Sequence, residues 1–370
     1  FKLPTNPANT SALFWANKLL AVCEGGLPYE VDPFSLATRG VEDFNLKGVL
    51  GFSAHFKIDR KERMLYNFGI ATPPNAALAL FAITESGKVV RTGSIPLEGG
   101  KQKLVHDCAM SEKYLIFCID PWTLQGADFA KALLGTASFG GSYKWDQQAK
   151  TRVVVVAKAD LKVVADFQVD GFSLYHFSNA WDEGAGLKVH VNKLIGPREG
   201  LEKNFKNMYD AEFSRQTYNE IYEMTIDLSG DGKCTSFEPV CKEMLPMEFP
   251  KVAPSVMSRR ARYTYSSGWS GRATYMDCLQ RYDADSKTVD FHPSEPNCYP
   301  SEVELVPKKG GVSEDDVYIV YHEYDAATHT SDIVVVDGKD FSGPAVCRIH
   351  LPHHIPYSFH GCVIQQGQWV

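Results

Sequence analysis

Four histidines stand in short phrases suited to holding a metal. They are His55 in Ser53-Ala54-His55-Phe56-Lys57, His106 in Val105-His106-Asp107-Cys108, His176 in Tyr175-His176-Phe177-Ser178-Asn179-Ala180 and His360 in Ser358-Phe359-His360-Gly361. The gaps between them are 51, 70 and 184 residues, far wider than a local metal finger allows. Neutral imidazole suits Zn, Cu, Fe and Ni, so four converging rings make iron or a neighbouring metal the natural guest. Spacing alone does not establish convergence. Distant segments meet only through a fold, and the texture of the chain bears on which fold that is.

That texture is one of short strands broken by turn residues. Ala77–Ile83 leads through Glu85-Ser86-Gly87-Lys88 into Val89-Val90-Arg91-Thr92, a hairpin by pattern. Val153–Val156 and Val163–Phe167 flank an Ala159-Asp160 turn, and Tyr318–Tyr321 and Ile333–Val336 repeat the device near the end. Many β-branched runs with few stretches of helical period predict an all-β sandwich, barrel or propeller. No clean internal repeat chooses among these. No Pro/Gly/Ser linker or change of composition marks a boundary, so one domain is expected.

The bulk numbers exclude several classes. With 38 Lys and Arg against 45 Asp and Glu, the net charge of −7, with no basic stretch to offset it, argues against nucleic acid as a partner. The nine cysteines are scattered, odd in number and without a CxxC pair, which reads as free thiols in a reducing intracellular compartment, cytoplasm or plastid. No run approaches the roughly 18 apolar residues of a membrane-spanning helix.

Phrases spread along the chain resemble those of the carotenoid cleavage oxygenases, non-haem iron enzymes that split polyene or stilbene double bonds with O₂. They include Asn9-Thr10, Leu19–Glu24, Pro28–Pro33, Phe52–His55, His106-Asp107, His176 with Asn179-Ala180-Trp181, Met247–Pro250, Tyr299–Glu302, Leu351-Pro352 and Phe359-His360-Gly361, in the family's order. The resemblance implies a seven-bladed β-propeller with a loop and helical cap over its top face and iron on the central axis. The chain opens on Phe1, and Asn9-Thr10 already matches a segment that normally follows a substantial N-terminal stretch. The expectation is therefore a single carotenoid oxygenase propeller domain over residues 1–370, incomplete at its N-terminus, with any targeting peptide outside it.

The resemblance also assigns roles. His55, His106, His176 and His360 become the Fe(II) ligands, and Glu24, Glu248 and Glu302 match three glutamates that accept the outward N–H of ligand histidines. A carboxylate in that position fixes ring tautomer and orientation, and three of them offset the charge of the ion. An isolated glutamate is otherwise a solvated surface charge, but Glu248 lies between Met247 and Phe249-Pro250 and Glu24 follows an apolar run, which favours burial with a partner. The implied reaction is oxidative cleavage of a conjugated C=C bond of an apolar carotenoid or apocarotenoid by O₂, giving carbonyl products. The alternatives are a stilbene-cleaving dioxygenase or a non-cleaving polyene isomerase on the same iron site. Stilbene-cleaving relatives typically place a lysine directly before the first of the glutamates, where this chain has Cys23. Two other departures, Phe56 where Pro is common and Cys108 where a bulkier apolar residue often follows His-Asp, bear on pocket shape.

His190, His292, His322, His329, His350, His353 and His354 lie outside these phrases and are read as surface or strand residues. Residues 122–144 form a non-strand stretch rich in apolar residues and glycine. It is read either as a buried cap helix or, as the resemblance implies, as an apolar mouth making peripheral membrane contact. Residues 197–220 form a polar insertion, expected as surface loop and a helical turn. Asp227–Gly232 with Glu238 nearly spells a calcium loop, yet the alternating Glu220–Ile226 before it predicts a hairpin turn instead. Gly268-Trp269-Ser270-Gly271-Arg272 resembles a serine nucleophile elbow, but Arg replaces its last glycine and the required βα pattern is missing.

Overall fold

The computed structural model describes residues 6–72, 76–138, 140–196, 218–272 and 275–364. Its strands form six antiparallel sheets of four or five strands and one two-stranded hairpin. The first sheet comprises β1 (Ser11–Trp15), β2 (Lys18–Val22), β3 (Tyr29–Val31) and β4 (Thr38–Val41), and the second β5 (Lys57–Asp59), β6 (Met64–Ile70), β7 (Ala77–Thr84) and β8 (Val89–Pro96). The third is built from β9 (Ala109–Met110), β10 (Tyr114–Ile119), β13 (Thr151–Ala157) and β14 (Val163–Val169), with the hairpin β11 (Trp122–Leu124) and β12 (Tyr143–Trp145) inserted between its halves. The fourth holds β15 (Ser173–Glu183), β16 (Gly186–Ile195), β17 (Tyr218–Asp227) and β18 (Lys233–Pro239), and the fifth β19 (Met247–Lys251), β20 (Tyr263–Gly268), β21 (Cys278–Asp283) and β22 (Thr288–Pro293). The sixth contains β23 (Cys298–Pro300), β24 (Glu304–Pro307), β25 (Val317–Asp325), β26 (Thr330–Asp337) and β27 (Cys347–His350).

Apolar clusters join the sheets in turn from the first to the fourth and the fifth to the sixth, and hydrogen bonds make the remaining junctions, which gives the array the form of a propeller. Leu13, Leu20, Leu65 and Phe81 join the first blade to the second; Phe68, Leu80, Phe117 and Val154 join the second to the third. Ile116, Val155, Val189 and Met224 continue the contact to the fourth blade, and Tyr265, Leu279, Ile319 and Val334 join the fifth to the sixth. Between the fourth and fifth, the Asn179 side chain donates to the Arg259 carbonyl (2.6 Å) and accepts the Ser258 N–H (3.0 Å). The His360 N–H donates to the Thr10 carbonyl (3.1 Å), bringing the C-terminal segment back to the first blade.

The resemblance leads to seven blades; the described residues form six. Every strand among the described residues belongs to one of the six sheets or to the inserted hairpin. The β-branched hairpins fall where the sequence puts them: Ala77–Thr84 with Val89–Pro96, Thr151–Ala157 with Val163–Val169, and Val317–Asp325 with Thr330–Asp337. Asp227–Lys233 is a hairpin turn with Gly230 and Gly232 at positive φ (62° and 83°). Residues 122–144 are not free of strand. Trp122 and Trp145 pair across β11 and β12 with ring centroids 5.3 Å apart, and α1 (Gly126–Leu133) rises between them. Three-residue strands are too short to show a period in sequence. Most of the polar insertion, residues 197–217, lies outside the described residues. Among the described residues no helix is long and apolar enough to cross a membrane.

The edge strands β5, β9, β15, β19 and β23 are the first strands of their sheets, and β15 packs against both β9 and β19. The axis therefore runs past these edges, and the chemistry-bearing residues sit on them or just beside them. Two glycines make room there. A Cβ on Gly69 would stand 1.8 Å from the Gly51 carbonyl oxygen, and one on Gly51 would stand 2.6 Å from that of Glu24. Only glycine lets the Gly51–His55 loop cross β6 so closely.

Candidate metal centre

Four imidazoles meet where the edge strands converge. His55 precedes β5, His106 precedes β9, His176 lies within β15, and His360 follows β27 on the returning segment. One ring nitrogen from each lies within 4.8 Å of the others, and the Nε2 atoms of His55 and His106 stand 2.8 Å apart. Ring centroids of the neighbouring pairs are 4.3 to 5.3 Å apart.

The outward nitrogens are held. Nδ1 of His106 meets Glu24 Oε1 at 2.7 Å, Nδ1 of His176 meets Glu248 Oε2 at 2.6 Å, and Nδ1 of His360 meets Glu302 Oε1 at 2.8 Å. A ring that gives its Nδ1 proton to a carboxylate keeps the Nε2 lone pair for the centre. His176 Nε2 is buried and has no hydrogen-bond partner among the described residues. Leaving such an acceptor unsatisfied is costly, and a bound cation among the four nitrogens removes that cost. The donor set of four imidazoles, three of them backed by carboxylates, thus fits iron or a neighbouring divalent metal.

Local irregularities in the strands aim these groups. The register of β15 on β16 shifts on both sides of Phe177, so Tyr175-His176 bulges out of the ladder and turns the imidazole toward the axis. The β19 register shifts after Glu248, and Phe249 adopts φ +58°, a left-handed conformation that costs a non-glycine residue roughly 1–2 kcal/mol. That strain carries the Phe249 ring to 5.6 Å from His176 and 5.4 Å from His360.

The electrostatics follow from burial and pairing. Burial alone would raise the Glu24 carboxyl, but His106 outweighs it and the group falls to about 2. For buried Glu302 the same opposition, with Lys251 (3.2 Å) and His360 as the charges, also ends at about 2. Burial and the three neighbouring rings hold His55 well below the ordinary imidazole range. Burial lowers His360 despite Glu302, whereas Glu24 overcomes burial and raises His106.

The structure thus brings together all four singled-out histidines and all three glutamates. The other seven histidines stay away from the cluster. His190, His292, His322 and His350 lie on strands, and His329 stacks on His354 at 4.1 Å. Ser270 hydrogen-bonds Asp277 (2.6 Å) rather than a histidine, so no nucleophile elbow forms. Three residues of the site have no role assigned from the sequence. Asn219 donates to Glu248 Oε1 (2.6 Å), Lys251 bridges Glu302 and Glu304, and Phe249 covers two rings. Only Phe249 left a signal, its place beside Glu248 in a matched phrase.

An all-β propeller with a four-histidine centre on its axis is the class that this fold and site define. The family model described as Retinal pigment epithelial membrane protein matches residues 2–365. The chain belongs to that family, which includes the carotenoid cleavage oxygenases. It is 28% identical to an apocarotenoid-15,15'-oxygenase of Synechocystis, with 96% of this chain and 72% of that protein covered. It is 26% identical to a carotenoid 9,10(9',10')-cleavage dioxygenase of Crocus sativus, with 98% of this chain and 67% of that protein covered. The solved structure of cobalt-substituted Synechocystis ACO covers 97% of this chain and 75% of its own at a TM-score of 0.85 and 25% identity.

Proposed function

We propose that the chain is an Fe(II)-dependent dioxygenase cleaving a conjugated C=C bond of a carotenoid or apocarotenoid to two carbonyl products. His55, His106, His176 and His360 are its metal ligands, and Glu24, Glu248 and Glu302 are the acceptors behind three of them. The observation that carries this reading is the cluster of four imidazoles with three Nδ1 atoms on carboxylates and the buried, unpartnered Nε2 of His176. A ferrous ion held there supplies binding and activation of O₂. The chain's own part is to hold the rings, exclude water and place one double bond beside the centre. With Nδ1 on a glutamate and Nε2 toward the centre, His106, His176 and His360 have no nitrogen left to shuttle protons.

The surroundings favour an apolar substrate. Phe249, Trp269 and Met276, with Tyr275 and Tyr357 packed on them, make an aromatic wall continuous with the rings of His176 and His360. Such a surface gains affinity from buried area rather than from one polar contact. Cys23, directly before Glu24, is buried and brings no cation to a phenolate. The nearest lysine in sequence, Lys18, is engaged by Glu30 (3.2 Å) and Glu42. Peripheral membrane contact is assigned to residues 122–144, where Leu134 stands exposed just after α1.

Anaerobic reconstitution with Fe(II), followed by product analysis on apocarotenals and 4-hydroxystilbenes, tests the reading. Cleavage of an apocarotenal with little or no stilbene turnover is expected. Efficient stilbene cleavage without polyene turnover reverses the substrate assignment, and protein that takes up no metal overturns the function.

A further inference from the structure

Three of the four histidine segments meet on one carboxylate outside the glutamate set. Asp107 is 4% exposed. Its Oδ1 accepts the Cys108 N–H (2.7 Å) and lies 2.8 Å from Lys57 Nζ, while its Oδ2 accepts the Phe177 N–H (2.9 Å). It thereby ties the residue after His106 to the residue after His176, and through Lys57 to the strand that follows His55. Oδ1 also stands 4.0 Å from Nδ1 of His55, the one ring of the four without a glutamate behind it. From the other side, the Ser53 hydroxyl donates to the His106 carbonyl and accepts the His55 N–H, both at 3.0 Å.

We propose that Asp107 is a positioning residue of the metal centre: it locks the His106 and His176 segments in register and sets a negative charge behind His55, with the Lys57 ammonium restraining that charge. This rests on the metal-site reading above. Its physical content is a difference in sign. The Asp107 charge favours a cation among the rings, and the Lys57 charge, drawn to the same oxygen, opposes it. Both side chains nonetheless support the fold, because they form one largely buried ion pair whose loss on either side leaves a charge unpaired.

The test is metal affinity beside stability. Fe(II) or Co(II) binding is measured by anaerobic chelator competition, and unfolding is measured on the metal-free protein, for Asp107→Asn, Lys57→Met and the double variant. Both single variants should unfold more easily than wild type. Metal binding should move in opposite directions: weaker by about 10–100-fold in Asp107→Asn and tighter, on the order of fivefold, in Lys57→Met. The double variant, with its local charge rebalanced, should return toward wild-type affinity. A purely structural role predicts that both single variants lose metal together, and that result overturns the proposal. If Asp107→Asn does not fold, Lys57→Met decides alone, since unchanged or weaker binding there also overturns it. Wild-type protein that binds no metal would overturn the proposed function together with this inference; wild-type binding with same-sign variants would overturn only the inference.

Discussion

Glu248→Gln separates a carboxylate that tunes a metal ligand from one that merely fills space. Glu248 receives three donors on two oxygens: His176 Nδ1 (2.6 Å) and the Phe249 N–H (2.9 Å) on Oε2, and Asn219 Nδ2 (2.6 Å) on Oε1. A glutamine has one acceptor oxygen. If that oxygen stays with His176 and Phe249, the new NH₂ faces the Asn219 NH₂. Asn219 can answer by turning its amide, because its own oxygen is buried without a partner among the described residues. If instead the NH₂ faces His176, the ring must move its proton to Nε2 and so lose the lone pair aimed at the centre. The first arrangement is the favourable one.

In that arrangement a charge-assisted bond worth about 1.5–3 kcal/mol becomes a neutral one worth about 0.5–1.5 kcal/mol. The difference, about 1.2 kcal/mol, is a little under tenfold in affinity; reorientation of Asn219 adds to it, within the 10–100-fold range for such outer partners. Anaerobic competition between the protein and a chelator for Fe(II) or Co(II) reads the change directly. Adding Asn219→Asp to Glu248→Gln supplies an acceptor for the amide and restores a nearby negative charge, so part of the affinity should return. Affinity in Glu248→Gln indistinguishable from wild type would refute the reasoning and leave Glu248 a structural residue.

Three further outcomes follow from the same geometry. His55→Ala, His106→Ala, His176→Ala and His360→Ala should each lower bound iron and abolish turnover, while His353→Ala and His354→Ala, exposed and outside the cluster, leave both intact; metal analysis and product assay decide ligand by ligand. Buried Glu302, lowered from 4.5 to about 2, lends stability that is complete above about pH 4.5 and lost as pH falls toward 2, and raised His106 must shed any proton before it binds metal, so affinity should also weaken on acidification; acid unfolding and chelator competition across pH measure the two. Gly69→Ala drives a Cβ into the Gly51 carbonyl and should destabilise by on the order of 3 kcal/mol, read as a lower denaturant midpoint, and metal loss without destabilisation would contradict it.

Much of the site was legible because its residues sit in short phrases whose order survives over the chain. The hairpins were legible because runs such as Val153–Val156 leave no alternative to a strand with both faces covered. What the sequence hid is what depends on register. The bulge at Tyr175-His176 and the left-handed Phe249 are single-residue departures from pleating, and no periodicity encodes them. Lys251 and Asn219 are recruited across strands by contact, so in sequence they look like ordinary polar residues. The blade count came from the resemblance rather than from strand signals, and the six sheets formed by the described residues depart from it there.

The arrangement also explains why the four histidines lie so far apart in sequence. In a propeller each blade offers the axis little more than its edge strand and the loop beside it, so one blade supplies one or two functional groups. A four-ring centre must therefore draw on segments from several blades. His360 comes last, on the segment whose backbone donates to Thr10 of the first blade. Its Nδ1 is held by Glu302 of the sixth blade, while Glu24 of the first holds His106 beside the third. Metal shared by these rings would bind only when both ends of the blade array are in place. Its binding energy then counts toward closing the ring as well as filling the site. In this fold His360 does both: its ring joins the centre, and its backbone returns the chain to the first blade.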